Sequence, residues 1–392
     1  MSMNLVRMKF AAAAAKLEAV SGTDIIGGTP AAGDWIGSDC EVQFDPDVID
    51  LDEYTGSLDK AASIVGGLKP RLRLRMPVRG SGAAGTPPDF GKLLQACTFG
   101  LTTTAAAVGA PTAATAGTTT TVTGQAPFVA TAQIYRGMPL AVTGDQVFIS
   151  GIMDYSAGRQ ITLGETRGSA LTVSSLLQIP INVLYSPTSD ESVYKTVTLY
   201  LYRDGVLWTF VGCSGTVSLE LTTAGLGFLV FELRAVFGAK STTAVPAGAA
   251  TAASARTLIT PPRLVGGKIQ LNRANAQVKT LTINNGVNVT LPDDPEGQDG
   301  YGPSVPVERD VAGSLNPYIN TTTTQTLFTN FRNGTAMPLM GLLGSAAGNR
   351  FLFTCPAIRA VAMDPGERGG LAEHGINFQA DGADCAFYVC AF

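Results

Sequence analysis

Hydrophobic and polar residues alternate with a period of two over much of the chain, a pattern typical of half-buried β-strands. The clearest stretch, residues 192–238, is rich in β-branched and aromatic residues and predicts four consecutive strands. Asp204-Gly205 within it predicts a tight hairpin, because glycine accepts the positive φ that such turns require. A sheet of these strands would have one apolar and one polar face, and the polar face is available for function.

Shorter patterns predict the elements of the N-terminal third. Residues 40–51 predict a strand with a bulge or a free edge at Pro46. Residues 68–78 predict a strand whose three arginines share one face, and residues 90–97 predict a short helix that follows a proline pair. The first 22 residues predict an amphipathic helix rather than a signal peptide, because charged residues interrupt a very short apolar run.

The C-terminal third shows the same kind of pattern. Residues 268–289 predict strands joined by an Asn-Asn-Gly turn, and residues 305–315 predict a further extended segment. Residues 324–333 predict a short helix, and residues 338–392 predict the closing strands. The fold class is therefore mainly β, with a few short helices.

Two segments rich in threonine and alanine, 101–126 and 241–260, lack large apolar side chains and predict an exposed loop and a linker. The compact stretch between the first of them and residue 187 has roughly 60 residues and would be only marginally stable as an independent domain, so we interpret it as an insertion supported by its host. The predicted boundaries are 1–102 and 188–240 for the two halves of a first β domain, 124–187 for a small inserted β domain, 241–260 for a linker, and 261–392 for a second β domain.

The two larger domains resemble a weak internal repeat. Residues 54–58 match residues 311–315, and each match is followed by a short predicted helix. Residues 213–217 and 355–359 each begin with a cysteine that leads into a predicted apolar strand. The shared order of elements supports the repeat more strongly than the residue identities do.

Composition limits the function. With 45% hydrophobic and 15% charged residues the chain can bury cores, and its 45 glycines and 22 prolines favour short strands and many turns. A net charge of −4 lacks the basic surplus of a tight nucleic-acid binder. The six cysteines contain no zinc-site spacing and are expected to be small buried residues, and no run of about 18 apolar residues predicts a membrane span.

Two motifs could carry chemistry, and both have a simpler explanation. Residues 80–85 satisfy the G-x-G-x-x-G pattern of dinucleotide sites, but Thr-Pro-Pro separates the last glycine from the helix. No acidic residue follows at the distance expected for a ribose contact, so we interpret the motif as a glycine loop. His374 is the sole histidine, which removes most histidine-based catalytic and metal designs, and it is expected in a loop or on the surface.

Acidic residues form two clusters, which are Asp45, Asp47, Asp50 and Asp52, and Asp293, Asp294, Glu296 and Asp299. Three interpretations remain open: a calcium loop, although the ligand spacing is wrong; a carboxylate pair for glycoside cleavage; or a negative wall that keeps a polyanion from sticking. Arg71, Arg73 and Arg75 are expected to pair with carboxylates on a neighbouring strand or subunit.

The order of four stretches resembles the tail tube proteins of long-tailed bacteriophages. They are the opening Ala-Lys-Leu-Glu run that ends in Gly22-Thr23-Asp24, the glycine loop 79–88 ahead of 93–97, the hairpin region 194–220, and the pieces 338–340 and 348–351. The resemblance implies β-sandwich or barrel domains that join edge to edge into a ring, and rings that stack into a hollow tube for the genome. Single-domain members form rings of six, so a chain with two tube domains implies a ring of three with pseudo-sixfold symmetry.

The resemblance also implies partners and a location. We expect the chain to contact further copies of itself, the tape measure, tail terminator and distal tail proteins, and viral DNA in transit, with no cofactor, no metal and no catalytic turnover. It would be made in the cytoplasm of a bacterial host and reside in the virion tail. The two acidic clusters are expected to line the channel, and the insertion to lie outside it. The alternatives are a virion decoration or adhesion protein of Ig-like β domains, and a β-sandwich glycosidase.

Overall fold

The structure, a computed structural model, describes residues 6–54, 56–59, 61–321 and 324–392. It is mainly β, with 50% of residues in strands and 7% in helices, so the predicted fold class is confirmed. The strands as far as residue 187 are β1 (Ala11–Leu17), β2 (Trp35–Ile36), β3 (Asp39–Ile49), β4 (Ile64–Pro77), β5 (Phe99–Thr104), β6 (Val108–Ala113), β7 (Ala116–Gly117), β8 (Thr121–Thr123), β9 (Pro139–Gly144), β10 (Phe148–Tyr155), β11 (Gln160–Leu163), β12 (Ser175–Ile179) and β13 (Asn182–Pro187).

The remaining strands complete the fold. They are β14 (Val197–Arg203), β15 (Val206–Thr222), β16 (Phe228–Thr242), β17 (Lys268–Leu271), β18 (Ala274–Asn275), β19 (Val278–Asn284), β20 (Val287–Thr290), β21 (Val305–Arg309), β22 (Ala312–Pro317), β23 (Met337–Leu343), β24 (Phe351–Arg368), β25 (Leu371–Ala380) and β26 (Tyr388–Ala391). The helices are α1 (Gly91–Gln95), α2 (Ala247–Thr257) and α3 (Thr324–Arg332), with one 3-10 turn at Glu191–Val193.

Eight antiparallel strands form what we call the central sheet, in the order β3, β4, β16, β15, β19, β22, β25 and β24. It belongs to a larger 17-stranded sheet that also includes β1, β14, β17 and β23. One core cluster joins residues of both halves, for example Leu74 and Phe231 with Leu315 and Phe378. The predicted division into two tube domains therefore remains a proposal, because the halves share a sheet and a core.

The stretch 192–238 contains three strands rather than the four expected. β14, β15 and β16 are present, but β15 runs through the predicted break as one strand of 17 residues. The Gly-Cys-Ser-Gly step is absorbed as a bulge, with a register shift between Val211 and Ser214 and a φ of 60° at Gly212. The predicted hairpin is confirmed, because Asp204 and Gly205 have φ values of 40° and 92°.

The predicted N-terminal helix is wrong where the structure describes it, and residues 1–5 of that helix lie outside the described residues. Residues 11–17 form β1 instead, which pairs with β14 on one side and β2 on the other. Ala13, Ala14 and Ala15 are buried there, so their small side chains allow close packing beside a strand of large residues. Tertiary pairing overrides the helix propensity of alanine.

The loop predicted at 101–126 is also wrong. β5 pairs with β13, and β6, β7 and β8 join a seven-stranded sheet in the order β6, β12, β9, β10, β11, β8 and β7. Threonine is β-branched and suits a pleated sheet, and Val122 and Ala114 supply the few apolar side chains that enter its core. This core also holds Met340 and Leu352 of β23 and β24, so the seven-stranded sheet (residues 108–179), which we call the insertion from here on, is packed against the main sheet. The segment 241–260 includes α2, which brings Ala249 to Trp35.

The two halves of the chain have the same strand connectivity. We define the first repeat as β1, β14, β15, β16, β4 and β3, paired in that order, and the second repeat as β17, β23, β24, β25, β22 and β19, paired in the same way. A short helix, α1 or α3, follows the equivalent strands β4 and β22. The matched cysteines, Cys213 and Cys355, lie in the equivalent strands β15 and β24.

The other sequence match of the repeat is wrong. Tyr54 and residues 56–58 lie between β3 and β4, and Thr55 is outside the described residues, whereas residues 312–315 belong to β22. The strand equivalent to β22 is β4. Other local predictions are confirmed: β3 has a register shift between Pro46 and Val48, and α3 covers nearly all of 324–333.

Candidate assembly surface

Ion pairs cross the polar face of β3, β4, β16 and β15. Arg71 Nε lies 2.5 Å from Asp45 Oδ2, and Arg234 Nη1 approaches the same oxygen at 3.5 Å. The remaining pairs are Arg73 with Glu41 (3.7 Å) and Glu232 (3.9 Å), and Arg75 with Glu220 (3.5 Å). The prediction that these arginines pair with carboxylates of neighbouring strands is confirmed for Arg71 and Arg73, while Arg75 reaches Glu220 on β15, two strands away. All these side chains are partly exposed, so the pairs stabilise the fold little and mainly balance charge on this face.

Strand alternation explains why the arginines share this face. Leu72, Leu74 and Met76 point into the core and are at most 1% exposed, while the arginines between them are exposed. A cleft of about 410 Å³ lies between this face and β20, and Glu41, Arg73, Glu232 and Asn288 are among its lining residues. The face is therefore a charged but locally neutralised surface.

The two acidic clusters meet at Asp47 and Tyr301, which are 254 positions apart in sequence. The Tyr301 hydroxyl donates a short hydrogen bond to Asp47 Oδ2, and Lys69 Nζ donates to Asp47 Oδ1 at 2.9 Å. The ammonium of Lys69 also lies 4.6 Å from the centre of the Tyr301 ring. Hydrogen bonds from Tyr301 and Lys69 lower the pKa of the Asp47 carboxyl below its usual value.

A glycine makes this contact possible. A Cβ at Gly67 would lie 2.3 Å from the Asp299 carbonyl oxygen, so the loop approaches the β4 backbone at a position without a side chain. The Asp299 side chain is half-buried, and burial raises the pKa of its carboxyl. The carboxyls of Asp47 and Asp299 therefore have pKa shifts in opposite directions.

The other acidic residues have different surroundings. Asp294 Oδ1 accepts a hydrogen bond from the Glu296 backbone at 3.0 Å, which closes the loop on itself, and Asp293 forms an isolated bridge with Tyr301. Asp293 and Glu296 are exposed. Asp50 and Asp52, which follow the end of β3, are exposed as well. Asp50 accepts a hydrogen bond from Ser63 at 2.6 Å.

The structure thus joins the clusters at one junction rather than in a shared pocket. Within the described ranges, no group of three or more histidine, cysteine, aspartate or glutamate side chains is placed to hold a metal ion. The sequence reasoning missed Tyr301 as a partner of the first cluster. The local signal was an aromatic residue directly after the acidic loop, but its partner is too distant in sequence to identify from a single chain.

The far end of the β3–β4 hairpin is apolar and exposed. Val48 pairs with Val65 and Ile49 with Ile64, and these four side chains are 50–62% exposed. Four large aliphatic residues together on a projecting hairpin are typical of a surface that contacts another protein.

Two strand edges in the central sheet lack a partner among the described residues. β3 pairs with β4 on one side and with no strand on the other. β24 pairs with β23 only as far as Ile358, although it continues beside β25 to Arg368. Open strand edges of this kind can pair with another chain.

The glycine loop 80–85 packs against the turn that precedes β24. Gly80 N–H donates to Asn349 Oδ1 at 2.9 Å, and Gly82 N–H donates to the Gly348 carbonyl at 3.2 Å. A Cβ at Gly80 would lie 2.0 Å from that carbonyl oxygen. The glycines therefore permit a close contact between two backbones, which explains the motif without a nucleotide.

The expectation for His374 is wrong. It lies within β25 and is only 9% exposed, because strand alternation places it on the same apolar face as Ile376 and Phe378. Neither ring nitrogen has a hydrogen-bond partner within the described part of the chain. Four of the six cysteines, Cys97, Cys213, Cys355 and Cys390, are buried as expected, and burial raises the pKa of their thiols. Cys40 and Cys385 are only half-buried, contrary to the expectation.

Comparisons with known proteins add one match. A family model described as phage tail tube protein matches residues 11–380, nearly the whole chain. The comparison with curated proteins gives no match. No helix in the described ranges is both long enough and apolar enough to cross a membrane.

Proposed function

The chain belongs to the phage tail tube protein family, and from this premise we propose that three copies close into a ring and that stacked rings form the tube of a phage tail. The channel would carry the viral genome into the host during ejection. The protein would act by assembly alone, without catalytic turnover, cofactor or metal.

The repeated strand connectivity is the observation that supports a ring of three chains. Each chain contributes two sets of six strands paired in the same order, so it presents two equivalent units to its neighbours. A ring of three such chains would have pseudo-sixfold symmetry. Cyclic closure would also cover the open edges of the central sheet, which favours a closed ring over a soluble monomer.

The polar face of the central sheet is our proposed channel wall. It carries Asp45 and Asp47, each bound to a basic side chain, so its arginines are not free to hold phosphates. We propose that Asp50, Asp52, Asp293, Asp294, Glu296 and Asp299 add negative charge near the channel. A wall that is neutral to negative lets DNA pass without trapping it.

The apolar end of the β3–β4 hairpin supports stacking between rings. Val48 and Ile64 are exposed at its tip, and burying the exposed half of such a side chain is worth about 1 kcal/mol. We propose that this tip contacts the adjacent ring. The seven-stranded insertion would lie outside the channel, since it packs through Met340 and Leu352 on the side of β23 and β24 that faces away from the main core.

The remaining partners follow from the same proposal. At the ends of the tube the chain would meet the tape measure, tail terminator and distal tail proteins, and it would reside in the virion after synthesis in the bacterial cytoplasm. Negative-stain microscopy of the purified protein tests the proposal: we expect rings or tubes with a central channel. A monodisperse monomer that binds cells or glycans would instead favour a decoration or adhesion protein.

A further inference from the structure

We infer that neighbouring subunits join by antiparallel pairing between the outer edge of β3, at residues 39–43, and the outer edge of β24, at residues 364–368. The partner is a second copy of this chain. The inference rests on the proposed ring and specifies which two strand edges close it.

The chain already contains one example of this junction. β19, the edge strand of the second repeat, pairs with the distal half of β15, the long strand of the first repeat. In that pairing Glu220 lies opposite Thr282, and Ser218 lies opposite Asn284. A further backbone hydrogen bond from Thr223 N–H to the Lys279 carbonyl, at 2.8 Å, extends the junction beyond the ladder.

The repeat identifies the equivalent strands. β3 corresponds to β19, because each is the last strand of its repeat in the order of pairing. β24 corresponds to β15, because each is the third strand of its repeat and the longest. Applying the internal β19–β15 contact to the next copy of the chain therefore places β3 of one subunit against β24 of another. Both edges are unpaired in the described residues of a single chain.

The register follows from core-facing residues that lie opposite one another across the strands. One such row crosses β3, β4, β16 and β15 in the first repeat, and the equivalent row crosses β19, β22, β25 and β24 in the second. The first row is Cys40, Leu74, Phe231 and Val217, and the second, in the same order, is Leu281, Leu315, Ile376 and Met363. Residues 39–43 then match residues 280–284, and residues 364–368 match residues 218–222. The internal pair of Glu220 and Thr282 predicts that Gly366 of one subunit faces Glu41 of the next.

The β24 edge is open to such a partner. Residues 364–367 are exposed, and the adjacent Val361 is 60% exposed. Pro365 removes one backbone donor, which is tolerated at an edge strand, while the neighbouring residues keep theirs. The Cys40 carbonyl accepts a hydrogen bond from Arg203 Nη2 at 3.0 Å, and a carbonyl oxygen has a second lone pair for a ladder partner.

Disulfide trapping in assembled rings tests the register. The full-length chain with Glu41→Cys and Gly366→Cys should form reducible crosslinks between subunits, seen as dimers and trimers on a denaturing gel. Each single variant controls for the native cysteines. Glu220→Cys with Thr282→Cys is the matched positive control, because it places the same crosslink inside one chain at the known junction.

Moving one cysteine along β3 tests the pairing further. Gly366→Cys combined with Asp39→Cys or Gln43→Cys should crosslink about tenfold less, because diagonal neighbours lie roughly 7–8 Å apart and a disulfide needs about 4 Å between Cβ atoms. Rings that form without the Glu41–Gly366 crosslink would overturn this inference and leave the proposed function standing. Failure of the unmodified protein to form any ring would overturn both.

Discussion

Glu18 is a buried carboxylate whose removal should destabilise the first repeat. Its side chain is 4% exposed and ties the segment after β1 to β14 and to the bulge of β15. Oε1 accepts from Gly212 N–H and from the Thr198 hydroxyl, both at 2.9 Å. Oε2 accepts from Gly22 N–H at 2.7 Å and from the Thr196 hydroxyl at 2.6 Å.

Glu18→Ala would leave the two backbone donors without a partner, while the two threonine hydroxyls can rotate. The Thr196 hydroxyl lies 3.0 Å from Ser21 Oγ, and the Thr198 hydroxyl lies 3.4 Å from the Thr23 carbonyl. An unsatisfied buried donor costs about 1–3 kcal/mol, and the half-buried Gly22 N–H costs less than the buried Gly212 N–H, so the two together cost about 3 kcal/mol. At about 2 cal/mol/K of unfolding entropy per residue, this lowers the melting temperature of the 392-residue chain by about 4 °C.

Differential scanning fluorimetry of the purified protein, at a concentration that keeps it unassembled, measures this shift. Glu18→Gln should fall between the wild type and the alanine variant, because the carboxamide keeps one acceptor oxygen. Glu191→Ala is the matched control, since this exposed glutamate lines a cleft of about 330 Å³ that Glu18 also lines, and its loss should not change the melting temperature. A shift of less than about 1 °C for Glu18→Ala would refute the reasoning.

Three further substitutions probe the remaining contacts. Gly80→Ala should cost about 1–3 kcal/mol of unfolding free energy in a denaturant titration, whereas Gly33→Ala, which has open space around its Cβ, should cost almost nothing; equal effects would contradict the close backbone contact. Tyr301→Phe should raise the Asp47 pKa. In the wild type the lowered pKa contributes stability at pH values above the ordinary aspartate range, and this contribution is lost as the pH falls through the pKa of folded Asp47. The fall in stability at acid pH should therefore be shallower in the variant, and an unchanged fall would argue against the contact. Asp45→Asn should strengthen DNA binding by assembled tubes and steepen its salt dependence by about one unit, and unchanged retention in a filter assay would count against charge neutralisation.

Local patterns in the sequence predicted the elements that are determined by residues close together in the chain. The Asp204-Gly205 hairpin follows from the turn residues themselves, and the arginine face of β4 follows from alternation along one strand. The ion pairs of that face were also foreseeable, because alternating arginines beside an acidic strand require partners.

The errors arise where the cause is distant in sequence. The alanine run at 11–15 favours a helix in isolation, but β14 and β2 offer backbone partners that make it a strand. The threonine-rich segment 108–123 becomes sheet because β11 and β12 pair with it. The junction of Asp47 with Tyr301 and the pairing of β15 with β19 depend on tertiary register, which no local pattern encodes.

The rotational symmetry of assembled particles tests the central claim most directly. Cryo-electron microscopy of end-on rings, combined with the mass of one ring, counts the copies of this 40.6 kDa chain around the channel. The repeated strand connectivity predicts three copies, with six similar lobes of density around a central opening. A ring of six chains, or particles with no central channel, would contradict it.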